Sequence, residues 1–229
     1  MSDNETPSQD PADAGSLAGV LSAVFKKQMQ GVDGMLPAAV VRYDRQNNTA
    51  TVRPLIQVMG TDGKSLGRSL LLAVPVLALG GGGFVVNFPL KPGDLGWIEA
   101  SDRDISLFVQ ALAEAKPNTC RLHSFSDGRF IPDVFRRYVI DSSDADDMVI
   151  QTIEGNTRIV VRANAVDIKT SGDVAIDAGG KIGLAAAASI TLAAPVVTIA
   201  GDVSVEGRGF MEHVHTGVEP GPGNTGGVA

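Results

Sequence analysis

VDIKTSGD (166–173), VAIDAGGK (174–181), IGLAAAAS (182–189) and ITLAAPVV (190–197) follow one another without a gap. Positions one and three of each octad are branched aliphatics: Val166 and Ile168, Val174 and Ile176, Ile182 and Leu184, Ile190 and Leu192. Two-residue spacing places both members of a pair on one face of a strand. The second half of each octad is small or turn-forming, as in Ser171-Gly172-Asp173 and Ala178-Gly179-Gly180.

The flanks keep the theme with slips of register, through Ile159/Val161 before the octads and Val197/Ile199 and Val203/Val205 after them. A strand and a turn repeated at fixed period predict a β-solenoid. Each rung is only one strand long, however, and offers no second apolar strand to close a core. From Met148 to Gly209 there is no Phe, Tyr or Trp, and Pro195 is the only proline. Three chains winding together, each giving one face of a triangular prism, is the simplest closure. At about 4.8 Å of rise per octad, five octads make a rod of roughly 25 Å. A single-chain β-sandwich is the plainer alternative, with strands long for that fold and a thin core.

Upstream, residues 35–135 read as a compact β domain. Ala39–Tyr43 and Ala50–Arg53 are β-rich runs separated by Asp44–Asn48. Leu55–Met59, Leu70–Leu79, Phe84–Phe88 and Leu95–Glu99 continue the series, with turn signals at Thr61–Lys64, Gly80–Gly83 and Lys91–Asp94. Asp104–Ala115 suits a short helix. Five or so short strands with one helix fit a small Greek-key barrel of the oligonucleotide/oligosaccharide-binding (OB) type, although a β-sandwich reads similarly. Gly80–Gly83 is a hairpin loop rather than a phosphate loop, because no Gly-Lys-Ser/Thr follows and Phe84-Val85-Val86 begins a strand. Asp141, Asp144, Asp146 and Asp147 lack the glycine and distal glutamate of a calcium loop and read as a solvated linker.

Residues 1–15 are polar and acidic, a disordered tail without the basic start of a secretory signal. Leu17, Val20, Leu21, Val24 and Met29 then recur at helical spacing, with Ser16 placed to cap and Gly31 to stop the helix. This helix either packs on its own domain or docks on a partner. The longest apolar run, Leu70–Leu79, is broken by Pro75 and falls short of the roughly 20 residues of a membrane helix. Synthesis in a cytoplasm without a membrane span is the expectation. A net charge of -7 argues against nucleic acid as partner, since neutralising phosphates requires clustered Lys and Arg. With one cysteine, Cys120, no intrachain disulfide forms; a buried structural thiol is expected.

Of the three histidines, His123 reads as structural or surface. His213 and His215 sit directly after the repeat, and a strand there would hold both imidazoles on one face, about 7 Å apart. Three copies about a threefold axis supply six imidazoles, an octahedral set suited to iron or nickel rather than zinc. A rival pattern runs through the same residues: Gly207, His213, His215, Glu219 and Gly226 match the spacing of the first cupin metal motif. A cupin also needs a downstream motif with another histidine, and none follows His215.

Several segments together resemble the central spike proteins of contractile-tailed bacteriophages. The barrel likeness rests on Leu36–Val41 with Thr49–Ile56, Lys91–Asp94 with Trp97, Ser101–Ile105, and His123–Asp127 with Phe130–Pro132. The octads resemble that family's triple-stranded β-helix, and His213-Val214-His215 its iron-binding apex. The resemblance implies an all-β homotrimer: a tail and helix over 1–34, an OB-fold barrel over 35–140, an intertwined trimeric β-helix over 141–206, and a metal-bound apex over 207–229. It further implies one iron ion per trimer on His213 and His215, with no catalytic residues and no small-molecule substrate. The barrels would sit on a baseplate hub protein at the end of the tail tube of the virion. Sheath contraction would drive the rod mechanically through the host outer membrane. Some family members carry an added lysozyme domain; no room for one exists between barrel and repeat. A trimeric tail adhesin binding a surface glycan and a cupin-like metalloenzyme are the alternatives.

Overall fold

The computed structural model describes residues 15–60, 63–135 and 137–211. It divides into two units, Met1–Asp173 and Val174–Ala229.

The first unit begins with α1 (Leu17–Met29). Ser16 caps it, its hydroxyl accepting the Gly19 N–H at 3.0 Å, and Lys26 and Lys27 lie in the last turn where the helix dipole favours cations. Leu17, Leu21 and Phe25 are exposed. The chain leaving the helix is pinned by Asp33, whose carboxylate accepts from Arg68 and from the Phe125 N–H, while its own N–H donates to the His123 carbonyl.

The strands of the barrel region are β1 (Met35–Asp44), β2 (Thr49–Pro54), β3 (Val58–Met59), β4 (Ser65–Leu66), β5 (Leu71–Pro75), β6 (Leu79–Gly81), β7 (Phe84–Val86), β8 (Leu95–Ser101) and β9 (Ser124–Pro132). A short helix, α2 (Ser106–Ala111), lies between β8 and β9. Five strands form one antiparallel sheet in the order β5-β2-β1-β8-β9. Its two outer strands approach each other where Val76 bridges Phe130 in parallel and the Leu77 N–H donates to the Phe130 carbonyl, so the sheet nearly closes into a barrel. The remaining pairs, β3 with β4 and β6 with β7, are separate two-stranded ribbons.

Strand alternation accounts for the barrel core. Ala38 and Val40 from β1, Ala50 and Val52 from β2, Val74 and Val76, Ile98, Phe125 and Phe130 point inward. Fully burying a side chain such as Ile98 or Phe130 contributes about 1.5–3 kcal/mol. Gly96 leaves the space that the Phe130 ring fills: a Cβ there would lie 2.4 Å from Phe130 Cζ.

Beyond the barrel, a single 3-10 turn (Ser142–Asp144) precedes β10 (Met148–Gln151), β11 (Thr157–Val161) and β12 (Val166–Thr170). These three form an antiparallel meander. In the second unit, β13 (Ser204–Val205) and β14 (Arg208–Gly209) form a small hairpin whose turn residues Glu206 and Gly207 have positive φ. Among the described residues from Val174 to Val203, no segment pairs as a strand within the chain.

The chain is therefore predominantly β, with few helices and a barrel-like sheet. The octads form no β-helix in one chain: only the first aliphatic pair, Val166 and Ile168, lies in a strand. The expected strand over Leu55–Met59 shrinks to Val58–Met59, and that over Leu70–Leu79 ends at Pro75, after which Val76 and Leu77 turn to Phe130 of β9. Cys120 is exposed rather than buried, because it lies in the loop that Thr119 and Arg121 tie to Asp104 and Asp127.

Candidate functional site: an uncovered aliphatic face

The meander pairs Met148 with Val161 and Val161 with Val166; two residues along, Ile150 pairs with Ile159 and Ile159 with Ile168. Directly opposed residues share a face, so six aliphatic side chains stand in two rows of three on one side of the sheet. Ile150 is 62% exposed, Val166 63% and Ile168 65%. A half-covered antiparallel sheet ordinarily turns such a face to the core.

The opposite face is covered. Arg158 and Val160 of β11 point there, followed by Arg162 one residue past the strand, and Val160 is fully buried. Onto this face folds the acidic turn. Asp144, buried, meets Arg158 Nε at 2.9 Å and also pairs with Arg162; Asp147 meets Arg162 Nε at 2.9 Å. Asp167 bonds Arg162 from β12 and raises the guanidinium pKa. Asp141 lies at 3.4 Å from Arg158, and the backbone and hydroxyl of Ser143 lower its carboxyl pKa. The reading of this stretch as a solvated linker is thus corrected: its aspartates clamp the back of the meander. Alternation of Arg158, Val160 and Arg162 carried the missed signal, since two cations flanking a valine on one strand face need anions opposite.

In the second unit the aliphatic pairs repeat the pattern without a ladder. Val174, Ile176, Ile182, Leu184, Ile190 and Leu192 are all more than half exposed. Such a length of regular apolar chain facing water exceeds what a monomer ordinarily leaves bare.

The barrel's buried carboxylates serve as anchors. Asp127 takes a two-pronged pair from Arg121, at 2.9 and 3.0 Å, while Asp104 accepts from the Ser106 N–H and Thr119 hydroxyl with Arg121 at 3.2 Å. Together they fasten the α2–β9 loop to the barrel. His123 is half-exposed, with Nδ1 3.7 Å from Asp102, consistent with a surface role. Among the described residues no group of three or more His, Cys, Asp or Glu could hold a metal ion, and no helix is long and apolar enough to cross a membrane. His213, His215 and Glu219 lie outside the described residues.

No curated protein matches the chain. Residues 36–133 match the family described as the phage protein Gp138 N-terminal domain, a span that takes in the barrel from β1 to β9 and ends before the meander. The likeness of this barrel region to a phage protein domain supports a phage structural protein and suggests a component of the virion.

Proposed function

We propose that the chain is the central spike of a contractile phage tail, a homotrimer that pierces the host outer membrane under mechanical load. The observation that carries this reading is the aliphatic face of the meander, together with the exposed octad pairs, which have no cover among the described residues. Three such faces turned toward a common axis cover one another, and the octads can then pair between chains as a β-helix. Interchain ladders matter for a piercing rod because they resist splaying.

The barrel supports the same reading. Its ring runs β1-β2-β5-β9-β8 and back to β1, with β5 and β9 meeting in parallel, which suits a five-stranded Greek-key barrel of the OB type. The barrels would form the platform on the baseplate hub, and α1, largely uncovered, would help to seat it. At the other end, His213 and His215 of three chains would hold one iron ion. Six neutral imidazoles fit an octahedral metal and fill its shell, leaving no open position for a substrate.

Molar mass and metal content on one sample of the full chain test this. A trimeric mass with one iron per three chains is expected, and the double change His213→Ala with His215→Ala should abolish the iron while keeping the trimer. A monomer would overturn the spike; one metal per chain, lost on Glu219→Ala, would favour the cupin-like alternative.

A further inference from the structure

Between Arg68 and Lys91 the chain carries no charged residue, although charged residues make up 20% of the protein. Much of this run nevertheless faces water. The β6–β7 ribbon pairs Leu79 with Val86 and Gly81 with Phe84, which puts Leu79, Phe84 and Val86 on one face; Phe84 is 83% exposed. A two-stranded ribbon without a covered face is marginal in water.

A second apolar feature lies in the same run. Ala50 pairs with Val74 but Val52 with Leu71, so β5 carries an extra residue there, and Ala73 takes a left-handed φ of 52°. That conformation disfavours a non-glycine residue by about 1–2 kcal/mol. Bulges re-aim side chains, and this one leaves Leu72 73% exposed in the middle of a barrel strand. Leu70, Leu72, Leu79, Phe84, Val85, Val86 and Phe88 are all exposed, from 41% at Leu70 to 83% at Phe84.

We propose that the β6–β7 ribbon of one copy packs on the bulged β5 of the next, Phe84 against Leu72, closing a ring of three barrels. The inference rests on the trimeric reading above. A threefold ring needs a head-to-tail contact between two different patches on each chain, and ribbon and bulge are two such patches. The absence of charge suits a permanently covered contact between copies, since obligate interfaces are the more hydrophobic class.

The test uses the full chain in a C120S background. Chains carrying F84C and L72C, with different tags, are co-expressed and treated with a short thiol cross-linker. A mixed-tag dimer is expected from the co-expressed preparation, and no cross-linked dimer from either chain expressed alone. A preparation of trimeric mass that yields no mixed dimer overturns the ring contact and leaves the ribbon for another partner. A monomeric preparation instead overturns the trimeric reading on which the contact depends.

Discussion

Arg158 and Asp144 meet at 2.9 Å, Nε to Oδ2, with the aspartate side chain wholly removed from solvent and the arginine largely so. The pair joins the acidic turn to the middle strand of the meander, and Arg162 contacts the same carboxylate from the end of that strand. A buried carboxylate between two guanidiniums is held in place because releasing either side leaves a charge without compensation.

Asp144→Ala should therefore destabilise the first unit by about 3 kcal/mol, because Arg158 keeps only the longer ion pair, to Asp141, and Arg162 loses its buried partner. Asp146→Ala, at an exposed position of the same turn, should stay within about 0.5 kcal/mol. Denaturant unfolding of both variants checks the contrast; equal stabilities would remove the clamp from the account.

Acid should act through the anchored aspartates. Hydrogen bonds from Ser106 and Thr119, with Arg121 nearby, hold the Asp104 carboxyl well below the ordinary carboxylate range, and hydrogen bonds from Ser143 lower the carboxyl pKa of Asp141. A lowered folded pKa means that the folded state favours the ionised form. The contribution is complete above the unfolded value of about 3.9 and is lost as pH falls through the folded one. Thermal stability followed downward from pH 7 should lose this contribution only below about pH 4. Asp104→Asn should lower stability at neutral pH and flatten the acid limb.

Gly96→Ala should be severe for so small a change. The added methyl would lie 2.3 Å from the Ile131 carbonyl oxygen and 2.4 Å from the Phe130 ring, so backbone or core must shift. Overpacking of this kind costs about 1–3 kcal/mol. Gly67→Ala, with nothing near its Cβ position, is the control and should leave the unfolding midpoint unchanged.

Ile159 stands at the centre of one aliphatic row, between Ile150 and Ile168. Ile159→Asp would set three carboxylates against one another on the axis of the proposed trimer, each without a partner. The trimer should dissociate at a lower denaturant concentration, read by light scattering, whereas Ile159→Val should behave nearly as the wild type. Equal resistance of Ile159→Asp and wild type would exclude this face from the interface.

Local pattern alone made much of the molecule legible. The N-cap at Ser16 lies where hydroxyl and apolar spacing put it, and Gly80–Gly83 carries the turn of a hairpin, because both depend on neighbours a few residues away. Alternation also marked Ile159/Val161 and Val166/Ile168 as strand faces, and those pairs do align across β11 and β12. What pattern could not reach were contacts between distant segments. Asp144 reads as one of several solvated acids until β11 brings Arg158 and Arg162 beneath it. Cys120 reads as a buried thiol until the Arg121 pairs hold its loop at the surface.

The octads mark the division most clearly. Their spacing by itself determined that Val174/Ile176, Ile182/Leu184 and Ile190/Leu192 form one apolar edge, since side-chain direction follows from a two-residue period. Only the tertiary structure decided that this edge finds no cover among the described residues, where its side chains remain more than half exposed. Tertiary structure likewise decided that Met148, Ile150, Ile159, Val161, Val166 and Ile168 gather on one sheet face while the acidic turn closes the other. The physical reason is that periodicity sets which way a side chain points, whereas burial depends on what the rest of the fold places opposite it.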